Sequence, residues 1–127
     1  MGELLDDETA DSIVQTCREV IGDSLRSVTY FTHEDYDQLY LRSDLSRDAD
    51  VANFVDHEWR GAQLMQETYG ESELGDYRYT MRGFENGYLV RVASEREGVF
   101  ATTDEVTIQN FEEVATALRR FLADRLA

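Results

Sequence analysis

Residues 76–95, DYRYTMRGFENGYLVRVASE, hold two runs of alternating polar and apolar residues that meet at Asn86-Gly87. Period-two alternation marks strands with one buried face. Asn-Gly accepts the positive φ of a tight hairpin turn. The stretch therefore predicts an antiparallel hairpin of 76–84 against 87–95, and a hairpin alone is too little to fold in water. The rest of the chain must supply more strands and a cover for the apolar face. With Asn86-Gly87 as the turn, Glu85 stands opposite Tyr88, Phe84 opposite Leu89, Gly83 opposite Val90 and Arg82 opposite Arg91. Tyr77, Tyr79, Met81, Tyr88, Val90 and Val92 then share the core face. Arg78, Arg82 and Arg91 share the other, with Glu95 opposite Arg78.

The remaining elements follow from periodicity. Residues 8–22 place Ile13, Val14, Cys17, Val20 and Ile21 on one helical face, and Gly22 ends the helix. LRSVTYFT (25–32) and QLYLR (38–42) are short and rich in β-branched and aromatic residues, and five residues between them suit a hairpin. Residues 47–69 repeat Val51, Phe54, Val55, Ala62 and Met65 at helical spacing, with Ser46 or Asp48 as the cap. Gly61 inside this helix costs about 1 kcal/mol relative to Ala, and allows close packing against another element. GVFATT (98–103) adds a strand. Residues 110–126 form an amphipathic helix with Phe111, Val114, Ala115, Leu118 and Leu122 buried and Asn110 with Glu113 as a capping box. The expected order is α-β-β-α-β-β-β-α in one domain, residues 1–127, with an ordered core of about 8–126.

Composition sets the environment. The 127 residues include 27 acidic and 12 basic ones, a net charge of -15. Every basic residue is Arg, and neither Lys nor Pro occurs. An acidic, Lys-free chain resembles the proteins of salt-in haloarchaea. In molar salt the Debye length falls to roughly 3 Å, so the charge does not steer a distant partner. The alternative, a mesophilic acidic protein with a cationic partner, leaves the missing Lys unexplained. A basic face for nucleic acid is lacking. No apolar run reaches the 18 residues of a membrane span, and the first ten residues lack signal-peptide character. A cytoplasmic location is expected. The single cysteine, Cys17, lies on an apolar stripe and reads as a core residue.

Several acidic motifs bear on chemistry. His33, Asp35 and Asp37 in THEDYD would need a further ligand for zinc, and the stretch lacks the Gly of a calcium loop. It reads as a hairpin turn, where Asp favours the bend. His57-Glu58 lacks the second His of a zinc-protease helix, since Gly61 stands there. DLSRDAD (44–50) lacks the Gly and Glu of a calcium loop, and its acids suit a helix N-terminus. No phosphate-binding loop or nucleophile elbow occurs. The expectation is therefore no catalytic site, no metal and no cofactor.

Two readings of function remain from the residues. Arginines packed together on one sheet face repel unless a carboxylate or phosphate lies between them. Arg78, Arg82 and Arg91 are thus the candidate anion- or partner-binding residues, the alternative being an acid supplied by an overlying helix. Trp59, Met65, Tyr77 and Tyr79 are candidate interface residues, because aromatic and Met side chains anchor interfaces. Sheet and core packing account for the same residue types.

The element order over residues 8–126 resembles the roadblock / dynein light-chain fold, which is related to longin and profilin-like domains. That resemblance implies an α+β domain with a five-stranded antiparallel sheet and helices on both faces. It implies a non-catalytic interaction module, often beside a small GTPase, that forms a homodimer through its central helix and a sheet edge. Here these are the 47–69 helix and the 76–84 strand. The runs SVTYFTHEDYDQLYLR and YRYTMRGFENGYLVRV also resemble short, uncharacterised haloarchaeal proteins, a likeness that carries no site residue.

Overall fold

The computed structural model describes residues 4–45, 51–105 and 108–126. The elements are α1 (Asp7–Ile21), β1 (Leu25–Thr32), β2 (Tyr36–Leu41), α2 (Val51–Tyr69), β3 (Thr80–Phe84), β4 (Gly87–Ala93), β5 (Glu97–Thr103) and α3 (Ile108–Leu126). A single 3-10 turn (Gly22–Ser24) joins α1 to β1. The strands form one antiparallel sheet in the order β2-β1-β5-β4-β3. The α+β order is the expected one.

The sheet is covered unequally. Helices α1 and α3 pack on one face, where Ile13, Cys17, Leu118 and Leu122 meet Val28, Val90, Val92 and Val99. Asp6 caps α1 by accepting from the Thr9 amide, and Gly22 closes it with φ 67°. The other face carries α2 alone, over a smaller cluster of Phe31, Val55, Leu89 and Phe100. Between β1 and β2 the chain turns in three residues, His33 to Asp35, not the expected five. The Thr32 hydroxyl accepts from the amides of Glu34 and Asp35, so both strands reach further toward the turn.

Three further expectations are corrected. First, Phe84 pairs with Gly87, Arg82 with Leu89 and Thr80 with Arg91. The turn is Glu85-Asn86, and Gly87 is the first residue of β4. Its physical role is lateral: a Cβ on Gly87 would lie 2.0 Å from the Thr103 carbonyl oxygen. Because the register moves by two residues, no side chain of the paired segment changes face. Second, β3 begins only at Thr80, so Tyr77 to Tyr79 escape the alternation. Third, α3 begins before Asn110, which is therefore not its cap. The proposed caps Ser46 and Asp48, and Asp48 and Asp50 of the 44–50 stretch, lie outside the described residues.

Candidate functional site: the α2 face and the β3 edge

Arg91 is fully buried in the middle of the sheet beneath α2. Its Nη1 donates to the Glu58 carboxylate at 2.8 Å and to the Glu58 backbone carbonyl at 3.0 Å. Its Nη2 donates to the Tyr77 hydroxyl at 2.7 Å and the Thr80 hydroxyl at 2.6 Å. Those two hydroxyls also bond each other. The second Glu58 oxygen accepts from Arg82 Nε at 2.9 Å. One helix carboxylate thus lies between two arginines of the sheet, and an unpaired charge at this depth would be costly.

Gly61 makes the approach possible. It sits one turn beyond Glu58, and a Cβ there would stand 2.7 Å from Arg91 Nη1 and 3.4 Å from Arg82 Nη2. The sequence-level idea that Gly61 allows close packing thus has a defined counterpart.

Arg78 does not join this group. It reaches Glu112 of α3 at 3.7 Å, on the opposite side of the sheet, and stacks on Tyr79. The reason is that the chain is not yet a strand at residue 78. Tyr79 packs against the α1/α3 core, and burial together with a hydrogen bond to Glu112 pushes its hydroxyl pKa up. Tyr77 turns the other way, onto Arg91. Trp59 is half-buried, edge-on to Phe31 and stacked on His33 with ring centroids 5.5 Å apart. Met65 is half-buried on α2. Trp59, Tyr77 and Tyr79 are therefore engaged inside the molecule.

The acidic knot at 33–37 is taken apart by the fold. His33 lies on Trp59, Asp35 accepts from the Tyr36 amide, and Asp37 accepts from the Leu4 amide. Among the described residues no group of three or more His, Cys, Asp or Glu side chains could hold a metal ion. No helix among them is long and apolar enough to cross a membrane.

What the structure offers instead is exposed apolar surface along an edge strand, with Phe84 on the α2 face and Met81, paired with Val90, on the α1/α3 face. Strand β3 ends the sheet. Met81 and Phe84 on it are 41% and 58% exposed, and Leu64 on α2 is 56% exposed. Sequence periodicity missed this. Phe54 was expected in the buried stripe of α2, yet it is 37% exposed, because a lone helix on a five-stranded sheet buries a narrow stripe.

The fold is shared with solved structures. The gliding protein MglB from Thermus thermophilus is 13% identical, with 95% of each chain covered and a TM-score of 0.67. Myxococcus xanthus MglB is 10% identical over 98% of this chain and 94% of its own, with a TM-score of 0.65. An MglB described as having a tetrameric arrangement is 12% identical over 94% of each chain, with a TM-score of 0.66. At such identities the likeness is one of fold, and the fold is roadblock-like. No curated protein matches the sequence. A family model matches residues 11–123, and the chain belongs to that family, described as Domain of unknown function (DUF7522).

Proposed function

We propose that this protein is a non-catalytic regulatory interaction module that works as a homodimer, pairing through α2 and the free edge of β3. The observation that carries the reading is the exposed edge itself. An edge strand with no second strand partner among the described residues, bearing exposed Phe84 on its α2 face and exposed Met81 on the other, is a template for a further chain, and Leu64 adds exposed apolar surface on α2. Charge and Pro, the usual guards of such an edge, are sparse: Arg82 is the only charged residue of β3. Met65 belongs to the same helix and is the candidate anchor retained. A small GTPase is the partner class that the roadblock-like fold suggests. The tetrameric arrangement described for one MglB supports self-association as a use of this fold.

A small-anion sensor is the weaker reading. Glu58 already supplies the carboxylate that Arg82 and Arg91 call for, which leaves the outer nitrogens of Arg82 as the only support.

The test is mass in solution. Sedimentation equilibrium in molar KCl is expected to give twice the 14.6 kDa chain mass. Met81→Lys with Leu64→Glu is expected to give the single-chain mass with unchanged circular dichroism. A wild-type monomer at every concentration up to millimolar overturns the homodimer. Capture of a GTPase by the tagged chain in molar KCl, lost in the double variant, supports the partner class. Capture unchanged in the variant moves partner binding to another face.

A further inference from the structure

A concave cavity of about 460 Å³ opens on the α2 side of the sheet, at the end where the β3–β4 turn lies. Its volume is within the ~300–1,000 Å³ of small-molecule sites. Leu41, Leu89 and Phe100 contribute from the sheet, and Phe54 and Phe84 stand around it. These two rings stay 37% and 58% exposed although an apolar surface lies beside them.

A few polar groups converge in this apolar setting. Ser27 Oγ and Thr102 Oγ1 are hydrogen-bonded at 2.6 Å across β1 and β5. Two hydroxyls whose one side-chain partner among the described residues is each other keep one spare O–H and spare lone pairs. Gln38 also lines the cavity and adds an amide, both a donor and an acceptor. Among the described residues at this end the net charge is slightly negative. Arg26 donates to Asp104, Arg42 is shared between Asp104 and Asp44, and among the described residues the remaining ion at the cavity is Glu85.

We propose that the cavity binds a small uncharged amphiphile, an alcohol or a primary amide with an apolar body. The head takes the spare donors and acceptors of Ser27, Thr102 and Gln38. The body lies against Leu89, Phe100 and Phe54. An anion is disfavoured because Arg26 is paired with Asp104 and Glu85 lines the cavity. Met81 and Leu64 lie outside this cavity, whereas Phe84 belongs both to it and to the β3 edge proposed for pairing, so the Met81→Lys with Leu64→Glu variant separates ligand binding from the homodimer.

Octanol, octanamide and octanoate, added to the full chain in molar KCl, test it by thermal shift and by methyl NMR of Leu41 and Leu89. Octanol and octanamide are expected to raise the melting temperature and move both leucine signals; octanoate is not. Ser27→Ala with Thr102→Val keeps the shape and removes the hydroxyls, and is expected to weaken octanol binding about tenfold, one hydrogen bond's worth. Thr102→Leu fills the cavity and is expected to abolish the response with circular dichroism unchanged. No response to any probe up to its solubility overturns the proposal. So does equal binding by wild type and Thr102→Leu, or leucine shifts that follow protein concentration in place of probe. Octanoate binding as well as octanol overturns the choice of an uncharged head.

Discussion

Gly61 of α2 and Arg91 of β4 occupy one another's space: a Cβ on the glycine would lie 2.7 Å from the arginine's Nη1. Replacing an interior helical Gly by Ala normally stabilises by about 1 kcal/mol. Here the guanidinium cannot swing aside freely. It is fully buried and held by Glu58, Tyr77 and Thr80. Gly61→Ala is therefore expected to lose about 1–3 kcal/mol, the range for overpacking. Thermal and urea melts in molar KCl decide the sign, and a gain in stability refutes the packing argument.

The two ion pairs made by Glu58 should differ in worth. The Arg91 side chain is fully buried, whereas the Arg82 side chain is 43% exposed. Removing one partner of a buried pair costs about 3–5 kcal/mol; an exposed pair contributes roughly 0–1 kcal/mol. Glu58→Ala is expected in the first range and Arg82→Ala in the second, both read from denaturant midpoints. Similar losses in the two variants would show that Arg91 finds another counter-charge when Glu58 is gone.

How far could this be read from residues alone? The helices and strands follow from periods of 3.6 and two, which burial on one face imposes directly, so Cys17 in α1 and Val90 in β4 were placed correctly. Register was missed by two residues because Gly87 is required by Thr103 on a neighbouring strand, not by the turn it adjoins. That constraint is lateral, and the hairpin's own sequence does not carry it. The same limit explains the site. That Arg82 and Arg91 need an acid between them follows from like charges on one face, and an acid from an overlying helix is the alternative to a bound anion. That the acid is Glu58, and that Arg78 departs to Glu112, depends on how α2 and α3 cross the sheet. Exposure of Phe54 and Phe84 also had no local signal, since an apolar residue at the right spacing looks the same whether or not anything covers it.

Glycine replacements give a graded test of the backbone. Gly22 has φ +67° and ψ -142°, a backbone region reserved for glycine, with nothing near its missing Cβ, so Gly22→Ala pays only backbone strain, about 1–3 kcal/mol. Gly87→Ala places a Cβ against the Thr103 carbonyl, a backbone atom tied into β5. It is expected to lose more than Gly22→Ala, at or beyond the ~3 kcal/mol upper end of overpacking. The reverse order in melting temperature would mean that the β4–β5 spacing yields easily.

Acid should loosen the end of the sheet where Arg42 gathers Asp44 and Asp104. Hydrogen bonds from Arg42 hold both carboxyls below their ordinary value of 3.8, with Arg26 adding to the effect at Asp104. A depressed folded value means the contribution is complete above pH 3.8. It fades as pH falls below 3.8 and through the folded values, since the unfolded chain takes up the protons first. Both acids are substantially exposed, so solvent and salt reduce the size of the effect. Asp104→Asn is expected to flatten the melting temperature between pH 4 and pH 2.5 relative to wild type. Parallel curves would assign the acid sensitivity to other carboxylates.

Cys17 provides the matching test at high pH. Its thiol is buried in the α1 stripe, and burial pushes it up from 9.0 to about 12. A thiolate is the reactive form, so the native chain is expected to resist a thiol reagent at pH 8 and to react at the rate at which α1 opens. The same shift has a stability sign. Below pH 9 the thiol is neutral in both states and contributes nothing; between pH 9 and 12 the unfolded chain alone ionises, so stability falls as pH rises. Cys17→Ala removes that slope while leaving a small cavity beside Ile13 and Ile21, which lowers stability at every pH. The expected result is a variant less stable than wild type at pH 8, with a gap that narrows toward pH 11. A gap that stays constant, or rapid labelling of the folded protein at pH 8, would place Cys17 within reach of water.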